Sequence, residues 1–231
     1  MPRVLVPVAI LKGANVSSGL TAFLSTVDVT VLGYHVVPDQ TSPDQARMQY
    51  EERATSALED ITQEFQQAGG DADYRLVFTH DRRKSVQRIA EETNASAIVT
   101  TGATGSVERI LVALSGDVAV DRILTFVAEL VEGRNIGVTL FAAGKATDAL
   151  REKVDAAATQ LTDAGTDVRT EITAGPPFDT LIDAVPGHDV VVIGEKAPSL
   201  TSLLFGEESD RIATRSVSPV LVVRSNDTSD T

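Results

Sequence analysis

The chain has 231 residues, 42% of them hydrophobic, no cysteine, and a formal net charge of −13. That size supports one or two packed domains. The missing cysteines exclude disulfides and thiol nucleophiles, and three scattered histidines (His35, His80, His188) argue against a structural metal site. The acidic balance excludes sequence-independent binding to nucleic acid and disfavours anionic membranes.

Met1-Pro2-Arg3 leads directly into Val4-Leu5-Val6 without an export signal, and no apolar run approaches the ~18 residues of a membrane span. A cytoplasmic protein without direct membrane insertion is expected. Only five of the 20 cations are lysines. Acid-rich and lysine-poor composition reads as halophilic, because in molar salt the Debye length falls to about 3 Å and surface carboxylates hardly repel one another.

In chain order, strands are predicted near 3–8, 28–37, 74–79 and 96–101, with helices between them. Ala54, Leu58, Ile61, Phe65 and Ala68 form one apolar stripe within Asp44 to Ala68, stopped by Gly69-Gly70. Val120, Ile123, Leu124, Val127 and Val131 form a second stripe, and Leu150, Val154, Ala157 and Leu161 a third that ends at Gly165. All three read as core. A helix beginning near Glu207 and a strand Val220-Leu221-Val222-Val223 close the pattern, and 226–231 is expected to be a disordered tail.

The chain repeats itself. Arg3-Val4-Leu5-Val6-Pro7-Val8 is echoed by Arg109-Ile110-Leu111-Val112-Ala113-Leu114, and Asp28-Val29-Thr30-Val31-Leu32 by Asn135-Ile136-Gly137-Val138-Thr139-Leu140, at offsets of 106 and 107. Ala95 to Gly102 matches His188 to Gly194. Two copies of one α/β unit are therefore expected, 1–106 and 107–225, with the first cut short after its fourth strand. The pattern leaves open whether 108–115 is strand 5 of the first copy or strand 1 of the second. A short link between the copies implies halves that pack closely and run antiparallel about a pseudo-twofold axis.

The opening Val4-Leu5-Val6-Pro7-Val8, the segment Tyr34-His35-Val36-Val37-Pro38, and the series Val192 through Gly194, Leu203-Leu204-Phe205-Gly206, Ser209-Asp210-Arg211-Ile212 and Ser218-Pro219-Val220-Leu221-Val222-Val223 resemble the universal stress protein family in a tandem form. The resemblance implies two doubly wound, Rossmann-like parallel sheets of strand order 3-2-1-4-5, helices on both faces, and dimerisation along the fifth-strand edge. ATP-binding members of that family carry an aspartate after the first strand and a pattern G-x2-G-x9-G-[ST]. Such glycines let backbone approach phosphate closely at a helix N-terminus.

Both copies depart from this pattern. Ala9 and Ser115 stand where the aspartate belongs. The first copy has Gly102-Ala103-Thr104-Gly105-Ser106 but lacks what should follow, while the second keeps Gly194 and Gly206, replaces the middle glycine with Lys196 or Ala197, and replaces the hydroxyl with Glu207. The candidate nucleotide-binding residues are thus Pro7, Gly102, Gly105, Ser106, Gly194 and Gly206, and Glu207 with Lys196 is a candidate plug of the anion position. A carboxylate there repels phosphate by about 1 kcal/mol at 4 Å in water and more in a cleft.

Other signals are weaker. His35 and His80-Asp81 lie at strand ends, His188 reads as a turn residue, and Ser17-Ser18-Gly19 reads as a helix cap rather than a nucleophile. Nothing places Asp81 beside Asp179 for acid–base work. Asn15, Asn94 and Asn226 open chance glycosylation sequons. The leading expectation is a non-catalytic stress-response or regulatory protein without a bound cofactor, acting on a protein partner; the family suggests a membrane transporter, and a homodimer is expected. An ATP- or AMP-binding switch is the alternative, and slow ATP hydrolysis ranks third.

Overall fold

The β-branched run Arg3–Ala9 forms β1 and is buried from Val4 through Val8, the pattern of a central strand covered by helices on both faces. The structure is a computed structural model that describes residues 1–13, 15–100, 102–114, 120–195 and 218–225. After β1 come α1 (Ser18–Phe23), β2 (Asp28–Val36), α2 (Pro43–Gln67), β3 (Ala72–Thr79), α3 (Arg82–Glu92) and β4 (Ala97–Thr100). The second half holds β5 (Arg109–Ala113), α4 (Val120–Val131), β6 (Gly137–Ala143), α5 (Asp148–Asp163), β7 (Val168–Thr173), α6 (Pro177–Ala184), β8 (Val190–Gly194) and β9 (Val220–Val223).

Local chemistry sets the helix boundaries. Ser42 accepts the Gln45 N–H at 3.2 Å and Pro43 occupies the first turn of α2, whose stripe Ala54, Leu58, Ile61 and Phe65 is buried. Ala68, expected on that stripe, is instead the exposed C-cap, because the chain turns away through Gly69 at φ 99°. Thr147 caps α5, and Val154, Ala157 and Leu161 bury its inner face. The expected helix near Glu207 and the expected tail 226–231 lie outside the described residues.

Among the described residues the strands form one nine-stranded sheet in the order β3-β2-β1-β4-β9-β8-β5-β6-β7. Reading β5 as a first strand, the run β7-β6-β5-β8-β9 has the expected order 3-2-1-4-5, and β3-β2-β1-β4 has the same order without a fifth strand. The open question about 108–115 closes here, since β5 pairs in parallel with β6 and β8 and acts as a first strand. The Asp189 carboxylate fixes that placement by accepting the N–H groups of Glu108 (2.8 Å) and Arg109 (3.0 Å).

Where two sheets were expected, the structure has one. All neighbouring strands are parallel except β4 and β9, which pair antiparallel with Ala97 opposite Val223 and Thr100 opposite Val220. The physical reason is edge satisfaction: β4 has no fifth-strand neighbour of its own, so its free N–H and C=O groups pair with the open side of β9. The halves therefore point in opposite directions. Arg224 extends the join, donating its backbone N–H to Ser96 O (2.8 Å) and its Nη1 to the carbonyls of Ala90 (2.9 Å) and Ala95 (3.2 Å) behind α3.

Helices α1, α2, α4 and α5 share one continuous core with one face of the sheet, while α3 and α6 cover separate patches of the other face. Within the shared layer, the Arg134 guanidinium after α4 donates to Phe23 O (2.6 Å) and Ala22 O (3.2 Å) at the end of α1, and lies 5.4 Å from the Phe23 ring centroid. The outer strands β3 and β7 carry charges such as Asp73, Arg75, Arg169 and Glu171, which discourage edge-to-edge association.

Leu221 in β9 is fully buried. Its truncation in Leu221→Ala is expected to cost about 2–5 kcal/mol in denaturant unfolding, whereas Met48→Ala, at a side chain 84% exposed on α2, is expected to stay within about 0.5 kcal/mol. Equal effects of the two substitutions would contradict the join.

Candidate functional site

In an open α/β sheet, ligands bind beyond the carboxyl ends of the strands where the strand order reverses. This sheet has two such points, between β1 and β4 and between β5 and β8. At the first, the ladder holds only Val4–Ala97 and Leu5–Ile98 before the strands part. Pro7, buried in β1, lies just past the split and has no N–H to offer a neighbour.

The segment after β4 closes that gap. Ser17 caps α1, and its Oγ also holds the glycine loop: it accepts the N–H groups of Leu20 (3.4 Å) and Thr104 (3.3 Å) and donates to Gly102 O (3.3 Å). Gly19, in the first turn of α1, touches the loop backbone so closely that a Cβ there would overlap Gly105 O and lie 2.5 Å from Thr104 O. Two carbonyl oxygens thus face the positive end of a helix.

Of the predicted site residues, Gly102 and Gly105 lie in the loop docked on α1, Pro7 is buried in β1 opposite Leu32, and Ser106 is exposed after Gly105. Ala9, in the place of the expected aspartate, ends β1 opposite Tyr34 and offers no side-chain acceptor. Gly194 lies apart, buried at the end of β8 and opposite Val223. The next residue, Glu195, is committed to structure: its Oε2 accepts the Ser225 N–H (3.0 Å) and hydroxyl (3.3 Å). Ser115, Lys196, Gly206 and Glu207 lie outside the described residues.

The histidines pack or hydrogen-bond within the fold. His35 packs edge-on against Tyr50 and Phe78, with ring centroids 5.7 and 6.0 Å away. His80 Nδ1 lies 3.2 Å from Val37 O. His188, read as a turn residue, bridges elements instead, with Nδ1 2.9 Å from Ala184 O at the end of α6 and Nε2 2.9 Å from the buried Thr139 hydroxyl. Asp81 follows β3 and Asp179 follows β7, the two opposite edges of the sheet, so about eight strand spacings, or ~38 Å, separate them. No acid–base pair forms. Among the described residues no group of three or more His, Cys, Asp or Glu could hold a metal ion, and no helix is long and apolar enough to cross a membrane.

Gly19 and Ser17 are the site residues that the sequence reading undervalued. Ser17 was legible as a cap, but its second role, gripping Gly102 and Thr104 from 85 and 87 residues away, leaves no local signal. A glycine inside a helical turn, where it costs about 1 kcal/mol relative to alanine, was the clue to a close backbone approach.

Two carboxyls are held below the usual range. The Lys84 backbone N–H donates to Asp81 at the start of α3 (3.0 Å), and the Arg109 side chain donates to Asp167 (2.8 Å). Because the folded-state pKa lies below the unfolded one, the stability each contributes is present above the unfolded value, about 4, and is lost as pH falls through the folded value.

A family model described as the Universal stress protein family matches residues 106–224. Among solved structures, the chain is similar to a universal stress protein from Archaeoglobus fulgidus DSM 4304, at 15% identity over 98% of this chain and 97% of that one, with a TM-score of 0.69. It is also similar to a protein from Pseudomonas aeruginosa UCBPP-PA14 classed with the universal stress proteins, at 14% identity over 98% and 94% of the two chains and a TM-score of 0.57. Both likenesses bear on the fold. A search of curated proteins finds no match.

Gly19→Ala is expected to force the 102–106 loop off α1, costing about 1–3 kcal/mol in denaturant unfolding. Gly105→Ala, where an added Cβ meets nothing within 4 Å, is expected to cost about 0.5 kcal/mol or less; a reversed order would mean that the loop is not docked. Asp81→Asn keeps a capping side chain but cannot titrate, so stability at neutral pH is expected to hold while the loss as pH falls below about 4 becomes shallower. An unchanged acid limb would contradict the assigned role of Asp81.

Proposed function

The chain belongs to the universal stress protein family, and from that premise we propose that it is a non-catalytic stress-response or regulatory protein whose nucleotide sites are degenerate and which acts through protein contacts. The observation that carries this reading is the docking of residues 102–106 on α1. Carbonyl oxygens of Thr104 and Gly105 crowd Gly19 where a phosphate would need N–H donors. Ala9 beside this crevice supplies no hydrogen bond to a base, and the same lack puts slow ATP hydrolysis last among the readings.

In this reading the chain is a tandem of two units, 1–106 and 107–225, with β9 serving both. A homodimer, if formed, uses a surface other than the β4 and β9 edges, since these are paired within the chain. The protein works in the cytoplasm, and its acid-rich surface is adapted to high salt. The partner is a protein, with a membrane transporter as the family's suggestion. In the second unit, Glu207 with Lys196 takes the anion position.

The alternative is an ATP- or AMP-binding switch. One observation favours it: Gly105 faces open space, so the glycine loop is approachable from its outer side. Isothermal titration of ATP and AMP in about 2 M KCl separates the two readings. No saturable heat from the folded protein is expected; a dissociation constant below about 100 μM, near 5.5 kcal/mol, would overturn the degenerate-site reading. Glu207→Ser combined with Lys196→Gly is expected to raise nucleotide affinity. Unchanged affinity would remove the plug.

A further inference from the structure

The internal repeat sets two buried threonines in matching places. Thr30 stands opposite Leu5 in the β1–β2 ladder, and Thr139 stands opposite Leu111 in the β5–β6 ladder. Each points to the sheet face covered by α3 or α6, because side chains two apart share a face and Leu32 and Phe141 pack there. The Thr139 hydroxyl lies 2.9 Å from His188 Nε2. Thr30 is fully buried, and its hydroxyl has no hydrogen-bond partner among the described residues.

The difference has a cause in the sequence. Ser96 and Asp189 hold matching positions, each donating its N–H to the carbonyl that opens the neighbouring strand, Arg3 O or Arg109 O. The residue before each is Ala95 in the first half and His188 in the second. Alanine has no side-chain donor or acceptor. A buried hydroxyl left unpaired bears the full cost of its lost hydration, so the first half needs another source of what His188 Nε2 supplies.

A second orphan lies beside the first. Asp73 on β3 is the register partner of Thr30, so the two side chains share a face, and Asp73 Oδ1 is also buried without a hydrogen-bond partner. Both neighbouring cations sit on the other oxygen: Oδ2 is 3.6 Å from Arg3 Nη1 and 3.8 Å from Arg75 Nη1. Adjacent strands lie about 4.8 Å apart, a span that one atom hydrogen-bonded to both orphans can bridge. The charges around them, Arg3 and Arg75 with Asp28 and Asp73, sum to zero. A metal ion or an anion therefore gains no net attraction, whereas a neutral donor and acceptor fits.

We propose that Thr30 and Asp73 build an internal hydration site for one ordered water, which donates to Asp73 Oδ1 and hydrogen-bonds the Thr30 hydroxyl. That water plays the part in the first half that the His188 imidazole plays in the second, and it ties β2 to the outer strand β3. Buried waters take two to four such partners in folded proteins. The inference is independent of the nucleotide reading.

The test joins a high-resolution crystal structure of the full chain with two substitutions. One ordered water is expected within about 3.2 Å of both Thr30 Oγ1 and Asp73 Oδ1. Thr30→Val, close to threonine in shape, removes one partner of the water and is expected to lower the folding equilibrium constant about tenfold in denaturant unfolding. Thr30→Ser keeps the hydroxyl and is expected to retain the water in its own crystal structure. The proposal is overturned if no water occupies the position, if the Thr30 hydroxyl bonds Asp73 Oδ1 directly, or if Thr30→Val is as stable as the parent or more so, the result for a hydroxyl that was never paired.

Discussion

Val220–Val223 is four residues long and hydrogen-bonded along both edges, parallel to β8 and antiparallel to β4. This double pairing makes two short sheets into one. A strand with one partner could fray; a strand between two must break two ladders to leave. Burial of Leu221, Val222 and Val223 adds about 1.5–3 kcal/mol for each side chain. The antiparallel seam also brings α1 and α4 side by side, which puts Arg134 within reach of the α1 carbonyls. The core of the shared helical layer is consequently continuous across the halves.

The same geometry places one order reversal in each half, and therefore one crevice in each half. In the first, the described segment after β4 enters no helix of its own. It returns onto α1, and Ser17 holds it there through Gly102 and Thr104. A helix N-terminus attracts phosphate because its N–H groups are unsatisfied. Here Ser17 accepts one of them, and the Thr104 and Gly105 carbonyls crowd the turn at Gly19.

Much of this was legible in the residue pattern, and the exceptions share a cause. The stripe Ala54, Leu58, Ile61 and Phe65 identified α2 because a 3.6-residue period is local information. Ala68 was misassigned because helix ends depend on capping geometry as much as on apolar spacing. The repeat of Arg3–Val8 at Arg109–Leu114 signalled a second unit, but a repeat cannot tell which strand pairs with which. That needed Asp189, about 80 residues away, to fix the start of β5. Nothing local marks Arg134 or Arg224, since their carbonyl partners lie more than 100 residues distant. His188 read as a turn residue for the same reason, its Thr139 partner being 49 residues away. Close backbone approach at Gly19 left only the faint trace of a glycine in a helical turn.

The most direct test of a chain unified by β9 is native-state hydrogen exchange at the amides of Ala97–Thr100 and Val220–Val223. If β9 joins the halves into one cooperative sheet, these amides open only with global unfolding, at the same free energy as the amides of β1 and β5. Exchange of the seam amides at a distinctly lower free energy, while β1 and β5 stay protected, would contradict it and leave two independent sheets in loose contact.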